Sequence, residues 1–134
     1  MNPAPDSGAA KKRILIVDDD DSVRLTMKIL LRTKGYEVLQ AESGIRGLEM
    51  ARTELPQLIL LDVNMSPGPD GCGVLKLLRA DPSTSTIKVI MITGVPEKLR
   101  QRTEKEIEPD DFLEKPFEAN VFLSAVHAQL ERGA

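Results

Sequence analysis

Tryptophan is absent from this chain, and its other aromatic residues are one tyrosine, Tyr36, and three phenylalanines, Phe112, Phe117 and Phe122. Any core must therefore be aliphatic, and the aromatic positions carry more information than usual. A single cysteine, Cys72, excludes an internal disulfide framework and a cysteine-based metal site, which fits a reducing, cytoplasmic setting. No apolar run approaches the roughly 20 residues needed to cross a bilayer, so membrane insertion is not expected. Positive charge is not in excess either: a net charge of −3 gives no electrostatic footing for nucleic acid as a direct partner. Residues 1–10 are small and polar with two prolines, and they lack the basic-then-apolar order of a secretory signal.

What is present is the composition of a globular protein. With 134 residues, 41% hydrophobic and 29% charged, the chain is long enough for one domain with a substantial core. Residues 1–11 read as a disordered lead and residues 12–132 as the domain. The stretch that organises the rest is Leu58-Ile59-Leu60-Leu61-Asp62 with the Pro/Gly-rich loop behind it. Four branched apolar residues followed by an acid and a loop read as a fully buried strand delivering one carboxylate to its carboxyl end.

Similar runs recur along the chain. Arg13-Ile14-Leu15-Ile16-Val17 leads into Asp18-Asp19-Asp20-Asp21, residues 36–41 form a short β-like segment, residues 87–93 end in Thr93-Gly94, and Asp111-Phe112-Leu113-Glu114 runs into Lys115-Pro116. Between them lie helical patterns: Val23, Met27, Leu30 and Leu31; Ile45, Leu48, Met50 and Ala51; Val74, Leu75, Leu77 and Leu78; and a final helix with Phe122, Ala125, Val126 and Leu130 inward. A further helix over residues 97–106 is nearly all polar, anchored only by Leu99 and Ile107, and is expected to be loosely held. Five strands alternating with helices imply an α/β doubly wound parallel sheet, flavodoxin-like, in the order 2-1-3-4-5.

In such a sheet the strand ends bring Asp18, Asp19, Asp62, Thr93 and Lys115 to one crevice. Clustered carboxylates with a backbone oxygen suit Mg²⁺, and a lysine and a hydroxyl opposite suit phosphoryl oxygens. Taken singly, each has a plainer reading: Asp18 to Asp21 as a solvated loop with a helix cap, Lys115 as a surface lysine, Thr93 as a strand-end hydroxyl, Phe112 as core. His127 and Cys72 are read as structural.

These motifs, Ile14-Leu15-Ile16-Val17-Asp18-Asp19, Leu60-Leu61-Asp62-Val63-Asn64-Met65, Asp70-Gly71, Ile92-Thr93-Gly94 and Asp111-Phe112-Leu113-Glu114-Lys115-Pro116-Phe117, together resemble the CheY-like receiver domain of bacterial two-component response regulators. The likeness runs in order from residue 13 to about residue 131. It implies that Asp62 accepts a phosphoryl group from a sensor histidine kinase or a histidine phosphotransfer protein. It further implies that Asp19, Asp62 and the Asn64 backbone carbonyl ligate Mg²⁺, with Asp18 acting through water. Thr93 and Lys115 would contact the phosphoryl group, Gly94 would leave it room, and Phe112 would be the switch aromatic. The surface of the fourth helix, fifth strand and final helix would then change to control a downstream protein partner. A regulator is implied, with no conventional turnover of small molecules.

Two places depart from the family pattern. Ser66 intervenes before Pro67-Gly68-Pro69 in the loop after Asp62, and Glu108-Pro109 replaces the Gly-Ala pair common before the fifth strand. Two other functions compete. A haloacid-dehalogenase-like phosphatase also uses an aspartyl nucleophile with Mg²⁺, but it would want a second Asp where Asn64 stands. A receiver-fold binding module would signal without phosphorylation, against which the intact acidic pair, Asp62, Thr93 and Lys115 argue. With only residues 131–134 after the final helix, a stand-alone regulator or phosphorelay intermediate is the expectation, and a piece of a longer protein would read the same.

Overall fold

The computed structural model describes residues 11–65, 68–94 and 108–132. Their strands are β1 (Arg13–Val17), β2 (Glu37–Ala41), β3 (Leu58–Asp62), β4 (Lys88–Thr93) and β5 (Asp111–Glu114). All pair in parallel in the order β2-β1-β3-β4-β5, as the alternation of strands and helices predicts. The four helices among the described residues are α1 (Asp21–Thr33), α2 (Gly44–Glu54), α3 (Gly71–Ala80) and α4 (Ala119–Arg132), the last being the final helix of the sequence. The polar helix expected over residues 97–106 lies outside the described residues, as do residues 1–10 of the expected lead and Ser66 and Pro67 of the unusual loop. Residues 108–110 continue no helix, and Glu108 is exposed.

Strand periodicity divides the core between the two faces of the sheet. Leu15, Val17, Ile59, Leu61, Val89 and Met91 pack under α2 and α3 with Leu48, Ala51, Val74, Leu75 and Leu78. Ile14, Ile16, Leu58, Leu60, Ile90 and Ile92 pack under α1 and α4 with Met27, Leu31, Phe122, Val126 and Leu130. Because β1, β3 and β4 are covered on both sides, they need unbroken apolar runs. Each of the first three helices starts on a side-chain cap: Asp20 accepts from the Ser22 and Val23 N–H groups, Ser43 from Arg46, and Asp70 from Gly73.

Two apolar positions do not follow the expected stripe. Ile45 is 59% exposed and Leu77 45% exposed, although both were expected inward. On α2 the inward positions are instead Gly44 and Gly47, because the helix lies too close to β1 and α3 for side chains there. A Cβ on Gly47 would meet the Val17 methyls at 2.9 Å, and one on Gly44 would meet the Pro69 carbonyl oxygen at 2.7 Å. On α4 the buried set includes a polar residue, Gln129, while Ala125 is only half-buried.

Candidate functional site

Alternation along the strands decides what reaches the carboxyl edge and on which side. Ile14 and Ile16 point to the α1/α4 face, so Asp18 follows them; Leu58 and Leu60 do the same, so Asp62 follows. Ile16 pairs with Leu60, which sets the two acids level with each other across the β1/β3 register. Leu113 brings Lys115 to that face one step past β5. Thr93 follows Val89 and Met91 onto the opposite face, the one against which Phe112 packs, and Phe112 pairs with Met91.

The result is a cluster. Carboxylate oxygens of Asp18, Asp19 and Asp62 all lie within 4.8 Å of one another. Asp18 and Asp62 are buried, at 1% and 4% exposure, whereas Asp19 is exposed. Lys115 Nζ donates to Asp62 Oδ1 at 3.1 Å and stands 3.6 Å from Asp18 Oδ2, too far for a hydrogen bond. Asp18 Oδ1 accepts from the Asp20 N–H at 2.9 Å, but its buried Oδ2 has no hydrogen-bond partner among the described residues.

Local packing fixes each element of the cluster. The Lys115 N–H donates to the Thr93 carbonyl at 2.8 Å, and the Val63 N–H to the Ile92 carbonyl at 3.2 Å, so the ends of β3, β4 and β5 are tied in sequence. Behind Lys115 the peptide to Pro116 is cis, and Phe117 stacks on the fully buried Phe122 with ring centroids 5.0 Å apart. Behind Asp62 the first turn of α3 presses in through Gly71, whose N–H donates to the Val63 carbonyl at 2.9 Å. Thr93 is buried, Phe112 half-buried, and Asn64 and Gly94 exposed. Among the described residues, a Cβ on Gly94 would meet nothing within 4 Å.

The electrostatics are those of too many carboxylates for one cation. Burial holds Asp62 above the ordinary carboxylate value; Lys115 and the Asn64 N–H pull it down without cancelling the effect, and Asp19 pushes it further up. Burial also raises Asp18, with Asp62 and Asp19 adding repulsion and the Asp20 N–H and Lys115 opposing it. For Lys115, burial alone would lower the ammonium, but the Asp62 and Asp18 carboxylates outweigh it and hold it above its ordinary value. Three carboxylates, two of them desolvated, with one buried oxygen unpartnered, form a hard-oxygen set that fits a divalent cation.

The sequence did not single out Arg24 or the close approach of Gly71. Arg24 reaches back from α1 to the Asp18 carbonyl at 2.5 Å. A cation in the first turn, three residues after Asp21, was the only signal that it serves the acidic turn. His127 is exposed on α4, and Cys72 is half-buried in α3, packed against the core beneath α2 and α3.

A doubly wound parallel sheet with an acidic cluster, a buried hydroxyl and a lysine at the carboxyl ends of its strands belongs to the open α/β proteins, whose ligand sites lie at that edge. Comparison narrows the class. Residues 14–127 match the family described as the response regulator receiver domain, and the chain belongs to that family of two-component system domains. The DNA-binding dual master transcriptional regulator RpaA of Synechocystis is 39% identical over 120 residues, covering 90% of this chain and 49% of its own length. The chain thus spans about half the length of the curated relatives it matches.

Among solved structures, a CheY-like response regulator receiver domain protein from Methanospirillum hungatei superposes with a TM-score of 0.82 at 30% identity. That match covers 92% of this chain and 97% of the other. The receiver domain of a Pseudomonas aeruginosa sensor histidine kinase, solved with a magnesium ion coordinated in its active site cleft, gives 0.82 at 23% identity. It covers 91% of this chain and 99% of its own, and at that identity it speaks to the fold alone.

Proposed function

We propose that Asp62 is the phosphoacceptor of this receiver domain. The single observation that carries the reading is the Lys115 ammonium 3.1 Å from a buried Asp62 carboxylate that also belongs to a three-carboxylate cluster. An Asp62 oxygen attacks the phosphorus of a phosphohistidine on a sensor kinase or histidine phosphotransfer protein. The O–P bond forms, the N–P bond breaks, and the imidazole leaves with the electron pair and takes up a proton. Such a transfer needs in-line placement and charge neutralisation more than covalent help. Lys115 holds one phosphoryl oxygen, and Thr93 a second. The absence of a side chain at Gly94 leaves the group room.

Asp19, Asp62 and the Asn64 backbone carbonyl would hold Mg²⁺ directly, and Asp18 through water. When bound, Mg²⁺ supplies charge neutralisation of the transferring phosphoryl oxygens. The orphaned Asp18 Oδ2 and the excess of carboxylates over cations support that assignment. Thr93 and Phe112 share one face of adjacent strands, which supports a switch in which Thr93 moves toward the phosphoryl group and Phe112 follows. The surface that changes includes β5 and α4, and its partner is a protein, in keeping with the net charge of −3. The site labels itself and does not turn over small molecules, and Asn64 in place of a second acid speaks against a phosphatase. A cytoplasmic setting is part of this reading. No helix of the described residues is long and apolar enough to cross a membrane.

The test is intact mass after incubation with acetyl phosphate and Mg²⁺. Wild type should gain one phosphoryl group and Asp62→Asn none. An adduct of equal yield in Asp62→Asn, or none in wild type, removes Asp62 as the acceptor.

A further inference from the structure

The β1–α1 turn carries two of the three clustered carboxylates, and one side chain holds that turn from behind. Arg24 donates from Nη1 to the Asp18 carbonyl oxygen at 2.5 Å, from Nη2 to the Asp21 carboxylate, and from Nε to Gln40 Oε1 on β2 at 3.4 Å. Its side chain is 13% exposed, and the bond to the Asp18 carbonyl is partly buried, whereas those to Asp21 and Gln40 lie at the surface. The Asp18 carbonyl belongs to the planar peptide that joins Asp18 to Asp19. Fixing that oxygen fixes the rotation of the plane, and with it the direction in which Asp19 leaves the backbone. Asp19 depends on this more than its neighbours do. Asp18 is pinned by burial and by the Asp20 N–H, and Asp20 is occupied as the α1 cap. Asp19 is exposed, and none of the hydrogen bonds among the described residues reaches its carboxylate.

The geometry points to Arg24 as a positioning residue: by fixing the Asp18–Asp19 peptide it aims the Asp19 carboxylate at Asp18 and Asp62 and so sets the affinity of the cluster for Mg²⁺. This rests on the reading of that cluster as the Mg²⁺ site. A guanidinium suits the task because one rigid planar fork serves a carbonyl, a carboxylate and an amide in three directions. The single ammonium of a lysine cannot hold all three. Groups that orient metal ligands typically weigh tenfold or more on metal affinity.

The test is a Mg²⁺ titration of wild type, Arg24→Gln and Arg24→Lys with no phosphoryl donor present. Binding is followed by nitrogen–proton correlation NMR at the amides of Asp19, Asp62 and Lys115, and the metal-free melting temperature of each protein is recorded. Arg24→Gln should bind Mg²⁺ about tenfold more weakly, and Arg24→Lys should fail to restore the affinity. At saturating Mg²⁺ the labelling of Asp62 by acetyl phosphate should return toward the wild-type rate. Lowered melting temperatures with unchanged Mg²⁺ affinity would show a structural prop and overturn the proposal. Should Arg24→Gln not fold, Arg24→Lys carries the comparison, and wild-type affinity in that variant overturns the proposal equally. A wild type that takes no Mg²⁺ removes the metal reading and the proposal together. A wild type that binds Mg²⁺ but is never labelled removes the phosphoacceptor reading alone, while a weakened Arg24→Gln still supports the positioning role.

Discussion

Lys115 places its Nζ 3.1 Å from Oδ1 of Asp62, a carboxylate only 4% exposed, while the lysine side chain itself remains about one-third exposed. The cation is therefore the wet half of the pair and the anion the dry half. Removing the lysine charge leaves two buried carboxylates uncompensated, which is costlier than losing the pair as a whole. Lys115→Met keeps most of the stem packing and should cost about 1–2 kcal/mol in metal-free protein near neutral pH, less than a fully buried pair because water reaches the ammonium. Urea unfolding at neutral pH and at about pH 5 checks this: the deficit should shrink in acid, where the carboxylates can protonate. A deficit independent of pH would mean that lost packing, not charge, is responsible.

The acids themselves should give the metal-free domain an inverted pH dependence. Asp18 and Asp62 are both raised, chiefly by burial, so the folded chain holds their protons more tightly than the unfolded chain does. Their contribution is full below the ordinary carboxylate range and is lost as pH climbs from about 4 through their raised values. Asp20 and Asp81 are lowered by hydrogen bonds at their turns and act the other way, losing their contribution only as pH falls below that range. Between about pH 4 and neutrality the buried pair therefore decides the slope, because Lys115 stays charged throughout. Asp62→Asn should raise the metal-free melting temperature at neutral pH and flatten this decline. Millimolar Mg²⁺ should raise the wild-type value by mass action and do less for Asp62→Asn. Thermal melts across that range, with and without Mg²⁺, provide the check.

The sheet and most of the site were legible because parallel strands covered on both faces must be continuous apolar runs. The acid, hydroxyl or lysine that ends each run stands out against it. Register did the rest, since side-chain alternation sends Asp18, Asp62 and Lys115 to one side without further information. Helix faces were less legible. Ile45 looks inward by hydrophobicity, yet α2 turns Gly47 toward β1 and Gly44 toward Pro69 and Val74, and close approach through glycine leaves no mark in an apolar pattern; nothing in the structure explains the outward turn of Leu77 on α3. Arg24 left only its spacing from Asp21 as a trace, because its bond into the site goes to a backbone carbonyl, and which carbonyl it meets is fixed by turn geometry, not by residue type.

Gln129 gives a prediction away from the site. It is 3% exposed on α4, and its Oε1 has no hydrogen-bond partner among the described residues. Its neighbours on the helix, Val126 and Leu130, belong to the core beneath α1 and α4. An unsatisfied buried amide oxygen is a standing cost, and an apolar side chain of similar size removes it. Gln129→Leu should therefore be neutral or stabilising by about 1 kcal/mol, read from the urea midpoint at constant slope. A loss larger than that would show that the amide is partnered in solution.

Gly71 and Gly73 stand two residues apart in the first turn of α3, and they should respond oppositely to alanine. Neither has a positive φ, so the difference is steric and not conformational. A Cβ at Gly71 would lie 2.5 Å from the Asp62 carbonyl oxygen and 2.7 Å from the Val63 Cα, both backbone atoms that yield only if the strand end or the helix moves. At Gly73 the nearest atom is the Pro69 Cβ at 3.3 Å, a contact relieved by a few tenths of an ångström. Replacing a helical glycine by alanine gains up to about 1 kcal/mol in propensity, which offsets that adjustment, so Gly73→Ala should melt close to wild type. Gly71→Ala should lose about 1–3 kcal/mol through overpacking. Because the displaced atoms are the backbone of Asp62 itself, its labelling by acetyl phosphate should slow even at temperatures where the variant is fully folded. Comparing labelling rates of the two variants well below their melting points separates displacement of the acid from loss of fold, and equal rates would mean that the helix, not the strand end, gives way.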